Sequence, residues 1–185
     1  TSAGARFDAG SVIVAAGLGS FQPRRLMVPD AEKFEGMQVH YRVRRAEEFH
    51  GHDLLIAGGG DSALDWVLEF CGKARSVTLV HRRAEFRAQP LSVSRMKELA
   101  AAGKLRHLEG TIQSLVVQDG RLAGAVVLGK DKSATEVRCQ HVIACFGLHP
   151  KLGPVANWGL ALEKKALAVD TEKFQTSVPG IFAIG

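Results

Sequence analysis

Aromatic residues are scarce: nine phenylalanines, two tryptophans and a single tyrosine in 185 residues. Most fall at positions that read as core, so no stacking platform for nucleic acid is spelled out. No apolar run reaches the roughly 18 residues a membrane helix requires. The N-terminal Thr1-Ser2-Ala3-Gly4 lacks the charged-then-apolar pattern of a secretion signal, and a cytoplasmic protein is expected. The three cysteines, Cys71, Cys139 and Cys145, form no C-x-x-C pair, and their odd number argues against a disulfide framework. On one strand, Cys139 and Cys145 would lie roughly 20 Å apart, beyond bridging distance. Buried, reduced thiols are the expectation. Internal repeats and low-complexity tracts are also missing.

What is present is a chain with 46% hydrophobic residues and a net charge of +5. That is enough apolar material for a real core, as one domain or one domain carrying pieces of a second. The basic excess is spread over Arg24-Arg25, Arg42 to Arg45 and Arg82 to Arg87. Such a distribution suits an anionic cofactor or an acidic protein partner better than the continuous stripe that nucleic acid demands.

Two periodicities organise the chain. Ser11 to Ala16, Asp53 to Ala57, Ser76 to His81 and Ile181 to Ile184 are short apolar runs expected as buried strands. Between them, Ser62 to Gly72 places Asp65, Glu69 and Lys73 on one narrow polar stripe and is expected as a helix packed on a sheet. A second helix is expected over Leu91 to Ala102, with Gly103 as its C-cap. Leu105 to Leu108 reads as the next strand. Ile112 to Val117, the Asp119-Gly120 turn and Leu122 to Leu128 read as a hairpin, followed by a strand from Val137 to Phe146. The expected fold class is α/β, a Rossmann-like parallel sheet with helices and an antiparallel meander. The apolar strand at the chain's end is what a cut through a larger fold would leave.

Gly58-Gly59-Gly60-Asp61-Ser62-Ala63 fits G-x-G-x-x-A directly after a strand and at the opening of a helix. In that setting Gly58 permits the tight turn, Gly60 lets a diphosphate approach the backbone, and Ala63 allows close helix–strand packing. The helix start supplies free amides and the positive end of a dipole. An NAD site would place Asp or Glu about 20 residues after the first glycine, to bind the ribose hydroxyls. Here that position reads His81-Arg82-Arg83, followed by Arg87. Guanidinium groups there would grip a 2'-phosphate through charge-assisted bonds of about 1.5–3 kcal/mol each, so NADPH is the expected cofactor. A second glycine-rich stretch, Gly17-Leu18-Gly19, precedes Pro23 and lacks the following helix that a phosphate cradle needs. His50-Gly51-His52 reads as a polar loop, and no metal site is expected. Trp66 reads as a packing residue, and no catalytic Ser-His-Asp or Cys-His set stands out.

"GGGDSAL" (Gly58 to Leu64) and "HRRAEFRA" (His81 to Ala88) resemble the NADPH-binding domain of low-molecular-weight thioredoxin reductases. "VIVAAG" (Val12 to Gly17) and "TSVPGIFAIG" (Thr176 to Gly185) are similar to flanking segments of that family's FAD domain. In the stretch corresponding to the family's redox dithiol, this chain has Arg42 and Arg45 where the thiols would lie, which excludes thiol–disulfide exchange with thioredoxin. The chain therefore resembles the thioredoxin-reductase-like ferredoxin–NADP reductases. "SFQPRRL" (Ser20 to Leu26), "VHYRVRRAEEFHG" (Val39 to Gly51), "GGGDSALDW" (Gly58 to Trp66) and "LGPVANWGLAL" (Leu152 to Leu162) carry that likeness.

The resemblance implies an FAD-domain segment and linker at 1–47, an NADPH-binding domain at 48–147 and a returning FAD-domain segment at 148–185. It implies cofactor contacts at Gly58, Gly59, Gly60, Asp61, Ser62, Ala63, His81, Arg82, Arg83, Arg87 and Gly147, with Phe21 near the flavin. It further implies hydride transfer from NADPH to FAD and electron transfer to a ferredoxin- or flavodoxin-like acidic carrier, in a homodimer. The FAD fingerprint G-x-G-x-x-G is absent, so this chain is expected to bind NADPH and to retain FAD poorly. The Tyr41 to Arg45 cluster reads equally as a solvated linker or as a contact for the acidic carrier. The alternatives are an oxidoreductase of the same fold with another acceptor, and an NADPH-sensing module without turnover.

Overall fold

The structure, a computed structural model, describes residues 4–17, 22–149, 152–164 and 166–184. They fall into two compact units, one spanning 24–147 and the other formed by the described residues of 1–23 and 148–185. The larger unit is built on seven strands: β1 (Val39–His40), β2 (Asp53–Ala57), β3 (Ser76–His81), β4 (Arg106–Gln118), β5 (Arg121–Gly129), β6 (Ala134–Arg138) and β7 (His141–Ala144). Their order across the sheet is β1-β7-β2-β3-β4-β5-β6. Pairing is parallel from β1 to the first residues of β4, and antiparallel from there to β6.

Helix α1 (Asp61–Phe70) buries Ala63, Leu64, Val67 and Phe70, one face of a 3.6-residue period, and has Asp61 in its first turn where a carboxylate favours the helix dipole. Helix α2 (Pro90–Ala101) opens on Pro90, whose missing amide is no loss at a helix start, and buries Met96. Gly103 follows it with φ of +69°, the left-handed geometry of a helix stop. Both helices cover one face of the sheet, against Leu54, Ile56, Val77, Leu79 and Ile143. The alternating residues Leu55, Val80 and Val142 join a second core made with Ala125, Val127 and Val137 of the curled meander and with Leu26, Ala31 and Phe34 of the preceding segment. Period-two alternation thus sends each central strand into two different cores.

Several expectations are corrected by this arrangement. Leu105 to Leu108 and Ile112 to Val117 are one strand, β4, whose first part pairs with β3 and whose remainder pairs with β5. Gly110 sits at the changeover, where any Cβ would collide with the Leu128 carbonyl. Conversely, Val137 to Phe146 is two strands. Between them the Cys139 amide donates to the Ala123 carbonyl (3.1 Å) and the Gln140 amide to the Asp53 carbonyl (2.8 Å), so the backbone leaves the meander and enters the parallel layer within two residues. Cys139 and Cys145 accordingly do not share a strand. The stretch 24–47 supplies β1 at the sheet edge and part of the second core.

Gln38 ties the two layers together. Its side-chain amide donates to the carbonyls of Leu122 (3.1 Å) and Gln140 (2.9 Å), and its oxygen accepts from the Leu122 amide (2.9 Å). Leu122 stands near the start of β5 and Gln140 between β6 and β7, so one side chain satisfies three backbone groups where the two layers meet.

In the smaller unit Val12–Val14 pairs in parallel with Ile181–Ala183. The expectation of a buried strand is met only in part: Val14 is 8% exposed, whereas Ile13 is 65% exposed. Ile13 stands on the more open face of this two-stranded ribbon, and apolar composition alone does not bury a side chain.

All three cysteines are free thiols. Burial pushes Cys139 up to about 12 and Cys145 up to about 11, so neither is a thiolate near neutrality. His40 and His141 meet across β1 and β7, with Nε2 of one 3.2 Å from Nδ1 of the other. Burial first, then the neighbouring His40, His52 and Arg121, push His141 down to about 4, and burial also lowers His40 despite Glu48 nearby. Both rings fold neutral, whereas the unfolded chain protonates them near 6.5. Their contribution to stability is therefore full above about pH 6.5 and is lost as the pH falls toward 4. Denaturant titrations from pH 7 to 5 should show falling stability, with a shallower fall in His141→Leu; equal slopes would contradict the assignment. Gln38→Ala should lower unfolding stability by about 1–2 kcal/mol at pH 7, from three polar groups left to partial solvation.

Candidate nucleotide-binding site

The chain leaves β2 at Ala57 and turns through three glycines into α1. At this point β2 has β3 on one side and β7 on the other, reached by connections running in opposite directions, which opens a crevice at the carboxyl ends of the strands. Gly58 is buried there with φ of +152°, and a Cβ on it would come within 2.6 Å of the Cys145 carbonyl oxygen and 3.0 Å of the Ala63 Cβ. Only the absence of a side chain lets the ends of β2 and β7 and the first turn of α1 meet. Ala63, fully buried, is the small residue that completes this contact.

The next two glycines differ in purpose. A Cβ on Gly59 would run into the His81 imidazole. One on Gly60 would meet nothing within 4 Å, and Gly60 has φ of −102° and ψ of −179°, backbone that any residue adopts. Neither the fold nor the dihedral angles require glycine at position 60; open space above the backbone is what it preserves. The start of α1 has no side-chain cap, so its first amides face that space with the positive end of the helix dipole. A diphosphate fits these features.

His81 ends β3 half-buried, with Nε2 3.0 Å from the Glu85 carbonyl oxygen and its ring 5.0 Å from that of Phe86. Arg82, Arg83 and Arg87 follow, all exposed, and among the described residues none has a carboxylate partner. Their segment is tied to the glycine turn by the Arg87 amide, which donates to the Gly59 carbonyl (2.8 Å), and by the Gln89 amide, which donates to Asp61 Oδ1 (2.7 Å). Ser62 is exposed beside Asp61 on the first turn.

Gly147 lies at the exit of the larger unit with φ of +84°, and its carbonyl accepts from the Arg24 amide at 3.0 Å. That is a structural duty at the point where the chain leaves the sheet. Phe21, Leu18 and Gly19 lie outside the described residues. His50 and His52 join no metal-binding cluster among the described residues.

Sequence reasoning missed Phe86, His107 and Gln89. Phe86 stands between the His81 and His107 rings, at 5.0 and 5.3 Å, and His107 Nε2 is buried without a partner. Burial, then the adjacent His81, lowers the His107 pKa. No local motif announces a contact between residues on two strands and a loop. A broad groove of about 1350 Å³, lined in part by Lys33, Gln38, His52 and His141, lies at the amino ends of the parallel strands, away from the glycine turn. Volume does not locate a dinucleotide site in such a sheet; the crevice at the carboxyl ends does.

The family described as pyridine nucleotide-disulphide oxidoreductase matches residues 1–185. The chain belongs to this family. Among curated members, it is 51% identical over its full length to ferredoxin–NADP reductase 2 of Cupriavidus pinatubonensis and 51% identical to ferredoxin–NADP reductase of Bradyrhizobium diazoefficiens. It covers 50% of the first and 54% of the second, so the chain spans about half the length of the curated relatives it matches. Among solved structures, thioredoxin reductase of Lactococcus lactis matches 95% of this chain and 56% of its own, with a TM-score of 0.79 and 28% identity. Bacillithiol disulfide reductase of Staphylococcus aureus matches with the same TM-score at 17% identity, over 95% of this chain and 53% of its own, a likeness of fold. The family's name refers to disulphide chemistry; these 185 residues contain no C-x-x-C pair, and their two more buried thiols are held protonated.

The glycines make separable predictions. Gly60→Ala should leave unfolding stability within about 0.5 kcal/mol of the parent while weakening dinucleotide binding by at least tenfold, because its methyl occupies the diphosphate's approach. Gly58→Ala should lower stability by more than about 2 kcal/mol through collision with backbone. Thermal denaturation and calorimetric titration of both variants check the pair; retained binding in Gly60→Ala would remove the diphosphate from this turn.

Proposed function

We propose that the unit spanning 24–147 binds NADPH and that the whole protein is a ferredoxin–NADP reductase. The observation that carries the reading is the open space over Gly60 next to a loop that is tied to the same turn and carries three guanidinium groups with no carboxylate partner among the described residues. In this assignment the amides at the start of α1 bind the diphosphate, and Gly60 gives it access. Arg82, Arg83 and Arg87 select the ribose 2'-phosphate, which a carboxylate in their place would repel. His81 lies directly against Gly59, and Phe86 packs beside its ring.

When bound, NADPH supplies a hydride that FAD in the whole protein would accept and convert to single electrons for a ferredoxin- or flavodoxin-like carrier. The contribution of the present residues is orientation and charge complementarity; none of them is placed as a general acid or base. The names of the curated relatives support ferredoxin as the acceptor. An acidic carrier also suits Arg42 and Arg44, exposed and without a carboxylate partner among the described residues, next to Arg45, which pairs with Glu48.

Calorimetric titration of the chain with NADPH and NADH tests the cofactor assignment. NADPH should bind at least tenfold more tightly, and replacing Arg82 and Arg83 together by alanine should abolish most of that preference while NADH binding changes little. Equal affinities in the parent chain would overturn the assignment. Equal losses for both nucleotides in the double variant would show that the arginines do not read the 2'-phosphate.

A further inference from the structure

A carboxylate at the mouth of an anion site is a puzzle. Asp61 is the first residue of α1, immediately after the glycine that leaves room for a diphosphate, and a free negative charge there would repel the ligand. Its geometry resolves the conflict. Oδ1 accepts the Gln89 amide hydrogen at 2.7 Å across 28 positions of sequence, on the segment that leads into α2. One carboxylate lobe is thereby committed to a backbone donor.

We infer that Asp61 is a positioning residue for the arginine loop: by holding Gln89, it sets where Arg82, Arg83 and Arg87 stand relative to the glycine turn, and so sets the selectivity for a 2'-phosphorylated dinucleotide. The inference rests on the NADPH reading above. Between β3 and α2 the chain runs from Arg82 to Gln89 without regular structure, and it carries all three guanidinium groups. Three tethers fix it: the His81 ring against the Glu85 carbonyl, the Arg87 amide on the Gly59 carbonyl and the Gln89 amide on Asp61.

Of these tethers, the last is the one made to the turn by a side chain through a charged acceptor, and charge-assisted bonds are about twice as strong as neutral ones. It joins the loop that reads the 2'-phosphate to the helix start that takes the diphosphate. The two parts of one ligand are therefore read by two segments locked in register. Long guanidinium side chains on an untethered loop would still supply positive charge, but their forked geometry would be lost, and with it the discrimination.

The test uses the 185-residue chain and the ratio of NADH to NADPH dissociation constants, which general damage to the diphosphate site leaves unchanged. Asp61→Ala should lower this ratio roughly five- to tenfold, in line with loss of one charge-assisted tether. Asp61→Asn keeps an oxygen acceptor for Gln89 and should hold the ratio within about twofold of the parent. Gln89→Pro deletes the donor from the other side at a residue whose φ of −57° already suits proline, and should act like Asp61→Ala.

Hydrogen exchange supplies a readout without nucleotide: the Gln89 amide should exchange faster in Asp61→Ala than in the parent or in Asp61→Asn. An unchanged ratio in Asp61→Ala and in Gln89→Pro would overturn the inference, as would a loss in Asp61→Asn as large as in Asp61→Ala. A parent chain that fails to prefer NADPH fails the NADPH reading itself. In that case faster Gln89 exchange in Asp61→Ala still reports the tether, so the two failures are told apart.

Discussion

The ends of β2 and β7 and the first turn of α1 converge on Gly58, where a single added carbon would meet the Cys145 carbonyl oxygen at 2.6 Å. This close approach is the constraint from which the rest follows. It brings the carboxyl edge of the sheet against a helix start, which concentrates free amide hydrogens in one place and opens the crevice at the point where the strand order reverses. The arginine loop after β3 is then fastened to the same turn, so glycine backbone and guanidinium charge are gathered along one edge of the unit.

Behind that edge the fold solves a covering problem. A parallel sheet needs apolar layers on both faces, and here the two helices occupy only one. The second face is closed by the same sheet curling back on itself through β4, β5 and β6, with the segment 24–39 filling the remainder. Gln38 supplies hydrogen bonds to backbone groups where the curled part meets the parallel part. The site and the scaffold are thus separated: one end of the sheet carries the glycine turn, and the other carries the histidine pair, Gln38 and a broad groove.

Much of this was legible beforehand, for reasons particular to each element. Asp53 to Ala57 and Ser76 to His81 have the bounds expected of them, because short apolar runs flanked by glycine or polar residues admit few alternatives. The Asp119-Gly120 turn forms as expected, since both residues adopt the positive φ that a two-residue hairpin demands. Other readings failed where local pattern carries no information about partners. Nothing in Val137 to Phe146 marks that its two halves serve different layers, and nothing in Ile13 marks that its apolar side chain faces outward. Of the candidate site, the glycines and arginines were visible as types at a spacing, whereas the Asp61–Gln89 tether and the His81–Phe86–His107 ring cluster were not.

The amino-acid sequence by itself determined the strand–turn–helix unit, the glycine pattern and the guanidinium cluster, because backbone permissiveness, side-chain period and charge are properties of neighbouring residues. The tertiary structure decided which glycine is required by packing and which preserves open space. It also decided which strands pair, and what the Asp61 carboxylate beside the glycine turn holds. Those depend on atoms brought together from distant parts of the chain, and their positions exist only once both cores have closed around the sheet.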